Sequence, residues 1–276
     1  MVHEGKSGIV YAAGEWEQGQ LGLPWSRTFM VEGRPVSRST AVPSTGTRIV
    51  GRKEIPAEPA AGEDGLVTNF CLVPLLRPQK VTFIAAGGDH SFAVAASGRV
   101  FAFGKNDAYQ LGVTTGGHVY TATSARVGVE ISHEGVDDRS VGPEPLQVVA
   151  LRWKSVVEIA CGDAHSLARC ENGTLYSWGM GAGGRLGHGH FRTVQHPTKV
   201  KVAFRCVKVA AGYYHSLALT DQGLLYAWGS GDGGQLGTGR AESSHTPQAV
   251  SMPADGRKWI SMSAGEYHSA ALTDIG

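Results

Sequence analysis

A histidine followed at once by a serine places a base beside a nucleophile, the pairing hydrolytic enzymes use for acyl transfer. This chain of 276 residues carries it four times, as His90-Ser91, His165-Ser166, His215-Ser216 and His268-Ser269, each at the end of the phrase Gly-x-x-His-Ser. Other residues invite other chemistry. His188-Gly189-His190, with His196 nearby, has the residue types of a metal site. Gly179-x-Gly181-x-x-Gly184 and Gly229-x-Gly231-x-x-Gly234 satisfy the glycine fingerprint that cradles a dinucleotide pyrophosphate. Trp178 and Trp228 are aromatic planes of the kind on which nucleic-acid bases stack.

Repetition changes the meaning of all four. An enzyme needs one site, whereas four equivalent His-Ser pairs mark a structural period, the last three histidines lying about 50 residues apart. The register extends well past the phrase. Eight residues after each histidine stand Gly98, Gly173, Gly223 and Gly276; an aromatic residue follows at Phe101, Tyr176 and Tyr226, then Phe103, Trp178 and Trp228, then Gly104, Gly179 and Gly229. A Leu-Gly pair closes the frame at Leu111-Gly112, Leu186-Gly187 and Leu236-Gly237. Neighbouring residues of a strand point to opposite faces, so His and Ser of one unit cannot meet as a dyad. His90, His165, His215 and His268 are expected to be structural, each imidazole bonding backbone between neighbouring strands or blades. The glycine fingerprints lack the following helix that would receive a pyrophosphate, and read as tight turns. His188, His190 and His196 correspond to Thr238, Arg240 and Thr246 in the next unit, which argues against metal binding. The fixed positions of Trp178 and Trp228 make them core residues. No catalytic, cofactor or metal site is expected.

The elements that hold this frame are strands. Apolar runs at 81–86, 156–161, 207–211 and 260–264 lead into each Gly-x-x-His, and alternation resumes after it, as in Ser216-Leu217-Ala218-Leu219. An aromatic-rich third strand ends at Gly104, Gly179 or Gly229. A fourth is expected after Pro74, Pro145, Pro197 and Pro247, because proline cannot donate to a ladder and belongs at the start of an edge strand. Four short antiparallel strands per unit, with no amphipathic helix, predict an all-β fold, a β-propeller of about four blade equivalents. Its expected organisation is a half blade at 1–22, an inserted loop at 23–73, a blade at 81–144 with its own insertion at 113–144, blades at 145–206 and 207–258, and a half blade at 259–276. An open arc is favoured over a ring of four units closed by strand exchange between the two halves.

The pattern Gly-x-x-His-Ser, Gly, aromatic-x-Trp-Gly and Gly-x-Leu-Gly resembles the regulator of chromosome condensation repeat family, most completely over 207–250. The resemblance covers 1–22, 81–112, 145–250 and 259–276. It implies blades of a propeller that usually closes with seven, and two kinds of activity: a protein-interaction scaffold, or guanine-nucleotide exchange on a Ran-like small GTPase. Asp89, in Gly-Gly-Asp-His, resembles the Gly-x-Asp-His form of exchange-type members.

Composition narrows the partner. A formal net charge of +1 gives no overall attraction to nucleic acid or to an acidic membrane. No apolar run approaches the roughly 18 residues of a membrane span, and the N-terminus lacks the apolar core of a signal peptide. The chain is expected to be intracellular, in cytoplasm or nucleus. Cys71, Cys161, Cys170 and Cys206 show no Cys-x-x-Cys spacing and read as structural thiols. Both insertions leave from connections between third and fourth strands, the end of the blades that also carries the Gly-x-x-His turns. On that end the frame is fixed and two residues vary: Gly88-Asp89, Asp163-Ala164, Tyr213-Tyr214 and Glu266-Tyr267. Asp89, Asp163, Tyr213, Tyr214, Glu266 and Tyr267 are therefore the candidates for binding a protein partner.

Overall fold

A computed structural model of the chain describes residues 10–15, 29–31, 34–36, 66–113, 142–252 and 256–274. The strands are β1 (Tyr11–Glu15), β2 (Phe29–Val31), β3 (Arg34–Val36), β4 (Leu66–Leu72), β5 (Val81–Ala86), β6 (His90–Ala95), β7 (Val100–Gly104), β8 (Gly142–Gln147) and β9 (Val156–Cys161). They continue as β10 (His165–Cys170), β11 (Leu175–Gly179), β12 (Val194–Lys199), β13 (Cys206–Ala211), β14 (His215–Thr220), β15 (Leu225–Gly229), β16 (Ser244–Ala249), β17 (Trp259–Ala264) and β18 (Ser269–Thr273).

Consecutive strands pair antiparallel into three four-stranded blades, β5 to β8, β9 to β12 and β13 to β16. Each blade has the same register. His165 lies opposite Gly179 and Ser166 opposite Trp178, just as His215 lies opposite Gly229 and Ser216 opposite Trp228. Two-stranded sheets flank the blades, β1 with β4 on one side and β17 with β18 on the other. Among the described residues β1 and β18 share no ladder, so the array is an open propeller.

The core is divided, as a stack of repeats requires. Phe92, Val94 and Ala102 of one blade pack against Ile159, Ala168 and Trp178 of the next. Leu167 and Leu175 meet Val209, Ala218 and Trp228 across the following interface. Leu217, Leu225 and Ala227 receive Met262 and Ala264 of the β17–β18 sheet. β14 is packed on both faces and is buried along its whole length, the polar His215, Ser216 and Thr220 included.

Two expectations about the fourth strand need correction. Pro145, Pro197 and Pro247 lie inside β8, β12 and β16. These strands occupy the outer edge of each blade, and register shifts fall between Ser177 and Gly179 and between Ala227 and Gly229, so the missing N–H breaks no regular ladder. Pro74 starts a 3₁₀ turn, Pro74–Gln79, while the strand that pairs with β1 is β4, just before it. The end of the segment read as the loop 23–73 is thus a strand, and it also contains the β2–β3 hairpin. The rest of that segment and residues 114–141 lie outside the described residues.

Candidate functional site

The His-Ser pairs do meet, but across blades. His90 Nε2 stands 3.0 Å from Ser166 Oγ, His165 Nε2 2.9 Å from Ser216 Oγ, and His215 Nε2 2.8 Å from Ser269 Oγ. The partner of each Nε2 is a hydroxyl of the next blade, and the backbone of His165 also bonds His90. Each serine proton has another destination: Ser166 donates to the Gln110 carbonyl at 2.7 Å, Ser216 to that of Arg185 at 2.8 Å and Ser269 to that of Gln235 at 2.7 Å. Since a hydroxyl has one proton, the imidazole must be the donor, protonated at Nε2. The same carbonyls of Gln110 and Arg185 accept Trp178 Nε1 at 2.8 Å and Trp228 Nε1 at 3.0 Å. Histidine, serine, tryptophan and the turn carbonyl before Leu-Gly form one hydrogen-bonded joint at two blade boundaries, and His215, Ser269 and the Gln235 carbonyl form its counterpart at a third.

This joint is not arranged as a nucleophile. Its serine proton is given to a carbonyl, and its imidazole donates where a base would accept. Burial lowers the pKa of His90 and of His215 to about 4, and takes that of His165 well below the ordinary value. The glycine of the phrase completes the joint, because a Cβ at Gly162 would collide with the His165 ring and with the carbonyl of Gly212. His268 has the same place in the frame but is exposed.

Other sequence candidates are placed as follows. Gly179 to Gly184 leads into a 3₁₀ turn of three residues, Ala182–Gly184, which has no extended helix to face a pyrophosphate. His188 Nε2 lies 2.9 Å from the hydroxyl of the buried Ser177, and His190 Nδ1 accepts from the Arg192 N–H at 3.2 Å. Among the described residues no three His, Cys, Asp or Glu side chains converge as ligands. Trp178 and Trp228 are fully buried.

The variable residues form a row above the joints. Adjacent Gly-x-x-His turns touch, Gly88 N–H donating to the Gly162 carbonyl at 3.4 Å. Asp89 is paired with Lys105 at 3.3 Å, and Lys105 reaches Asp107 at 3.4 Å; the hydrogen bond to Asp89 is the main reason the Lys105 pKa rises. The larger cluster is aromatic. Tyr213 and Tyr214 are 6.0 Å apart between ring centroids, and Tyr214 and Tyr267 5.4 Å. Beneath them is Arg185, which sequence reasoning missed. Its guanidinium lies 4.8 Å from the centre of the Tyr214 ring and donates to the Tyr213 carbonyl at 3.1 Å. Burial depresses the Arg185 pKa, opposed by the carboxylate of Asp163 and by Tyr214. A signal for it existed: the residue before each Leu-Gly is polar, Gln110, Arg185 or Gln235. Tyr267 is 55% exposed and Tyr213 38%, large apolar faces for side chains in fixed turns. Hydrogen bonding to Tyr214, foremost, and the nearby Glu266 raise the Tyr267 pKa to about 12.

Comparison with known proteins adds family membership. The RCC1-like domain model matches residues 4–271. The human protein called probable E3 ubiquitin-protein ligase HERC3 is 36% identical over 132 residues, 48% of this chain and 10% of that protein. The Arabidopsis thaliana ultraviolet-B receptor UVR8 is 34% identical over 202 residues, 72% of this chain and 40% of the receptor. Among solved structures, Prp20p from Saccharomyces cerevisiae superposes with a TM-score of 0.67 at 23% identity, covering 96% of this chain and 52% of Prp20p. Human WBSCR16 superposes with a TM-score of 0.68 at 21% identity, over 98% and 54% of the two chains. The chain spans well under two thirds of each of these proteins, and the two structures speak for the fold alone. With its four Gly-x-x-His-Ser phrases joined blade to blade and a family match running through nearly its whole length, the chain belongs to the RCC1-like domain family.

Proposed function

We propose that the chain is a protein-interaction scaffold that binds its partners through the propeller face bearing the Gly-x-x-His turns. The observation that carries this reading is the cluster of Tyr213, Tyr214 and Tyr267 over Arg185, with Asp163 and Glu266 beside it. Tyrosine provides a large contact area with a polar tip and few rotatable bonds, and arginine and tyrosine dominate binding hot spots. The turns that carry them are pinned by the His-Ser joints, so little conformational entropy is lost on association. Asp89, paired with Lys105, extends the acidic end of the same row. The test is affinity capture with the wild type and with a Tyr213→Ser, Tyr267→Ser double variant. Partners held by the wild type are lost from the variant, while its circular dichroism and thermal unfolding are unchanged because both side chains are exposed. Equal recovery by the two forms sinks the reading.

The second reading is guanine-nucleotide exchange on a Ran-like small GTPase, favoured by Asp89 in its Gly-Gly-Asp-His setting. Prp20p, one of the structural neighbours, is described for its binding to Gsp1p and histones. Exchange makes no bond; it would act by stabilising the nucleotide-free GTPase through differential binding. Release of fluorescent GDP from a Ran-like GTPase decides it. Acceleration that Asp89→Ala removes supports exchange, and an unchanged rate at micromolar protein rejects it.

A further inference from the structure

The far face of the propeller supplies a second, chemically different surface. In an antiparallel meander the connections alternate between two ends, so the Gly-x-x-His turns and the long insertions share one end. The turns after the second strands and the links between blades share the other. Those far-end links carry Lys80, Arg152, Lys154, Lys201, Arg205 and Lys258, all exposed. No ion pair among the described residues uses Arg152, Lys154, Lys201 or Arg205. The net charge of +1 conceals this, because acidic residues such as Asp89, Asp107, Asp163 and Glu266 stand on the Gly-x-x-His face.

Between the blades β9 to β12 and β13 to β16 this basic end is concave. A groove of about 560 Å³ is lined by Trp153, Lys154, Asn172, Thr174, Tyr176 and Arg205, among others. Trp153 is 83% exposed, with the Arg152 guanidinium 4.9 Å from its ring centre, and Lys154 Nζ lies 5.9 Å from the centre of the Tyr176 ring. Arg205 donates to the Glu171 carbonyl at 3.3 Å. An exposed indole beside unpaired cations suits a ligand that is both anionic and partly apolar.

We infer that this groove binds an acidic peptide segment of a partner protein, its carboxylates on Arg152, Lys154 and Arg205 and an apolar side chain on Trp153. Ser155, Asn172 and Thr174 offer polar groups for the peptide backbone. A nucleic acid fits less well. Glu171 stands in the groove and Asp221 in the matching turn of the next blade, and a continuous phosphate track would run against both carboxylates, whereas a peptide can place its charges between them.

The experiment is fluorescence anisotropy on the intact chain with a fluorescein-labelled twelve-residue peptide of Asp, Glu and one Leu. A control peptide replaces Asp and Glu by Lys, and a single-stranded and a duplex DNA are the other probes. The acidic peptide is expected to bind, to weaken as salt rises, and to lose affinity at least about tenfold in Trp153→Ala and in Lys154→Glu. Both substituted side chains are exposed, so the fold survives, and Arg240→Ala on the opposite face, also exposed, leaves the affinity unchanged. The inference is overturned by DNA binding more tightly than the peptide, by equal binding of the Lys control, by unaltered affinity in both groove variants, or by no binding of the acidic peptide.

Discussion

At the scale of residues, the recurring histidine acts through what it donates. Its Nε2–H ties one blade to the serine of the next, which requires a neutral imidazole in a buried place. That requirement makes stability depend on pH. With pKa values of about 4 for His90 and His215 when folded, against an ordinary value near 6.5, the unfolded chain binds more protons between those limits. The histidine contribution is therefore complete above about pH 6.5 and lost as pH falls toward 4, at up to about 1.4 kcal/mol per pH unit for each histidine. Urea midpoints measured between pH 7.5 and pH 5 should fall, and His215→Gln, whose amide can still donate to Ser269, should flatten the slope. A slope identical to wild type would remove this histidine from the effect.

At the scale of elements, blades interlock through glycine as much as through apolar side chains. Gly223, in the turn between β14 and β15, has a φ of +77°, and a Cβ there would meet the Lys258 side chain of the next sheet at 2.7 Å. Gly223→Ala combines a left-handed backbone with an inter-blade clash, and should cost about 1–3 kcal/mol in a thermal or urea unfolding experiment. A loss under about 0.5 kcal/mol would mean that the Lys258 stem moves aside and that the turn is not a spacer. The outer strands obey a looser rule. Their prolines sit within the strand because each blade's last strand is an edge, where a missing donor is tolerated.

At the scale of the whole molecule, a divided core means graded stability. Strands between two blades, such as β10 and β14, are buried almost throughout, while β18 is exposed along most of its length. Hydrogen exchange should be slowest in β10 and β14 and fastest in β17 and β18, with opening that spreads inward from that side. Uniform protection across all the blades would contradict the nearest-neighbour picture. The same stacking collects the exposed cations Lys80, Arg152, Lys154, Lys201, Arg205 and Lys258 at one end of the blades, while Tyr213, Tyr214 and Tyr267 cluster at the other. The two proposed surfaces therefore suit partners of opposite character.

The repeat in the sequence dictates the blade, because a residue at a fixed position of the frame takes the same place in each blade packed on both faces. The first three strands of each full blade, their turns, the buried Trp178 and Trp228 and the variable positions from Asp89 to Tyr267 were readable from one aligned frame, whereas the place of the prolines within the fourth strand was not. What the frame could not contain is anything that depends on the neighbouring blade. Residues His90 and Ser166 are far apart in sequence, so their joint follows from the twist and separation of two packed sheets rather than from a local pattern. Arg185 came under Tyr214 for the same reason, and β4 was hidden because a long intervening segment separates it from its partner β1. The segregation of charge is likewise invisible to a net sum. Only the alternation of connections between the two ends of each folded blade decides which face a side chain serves.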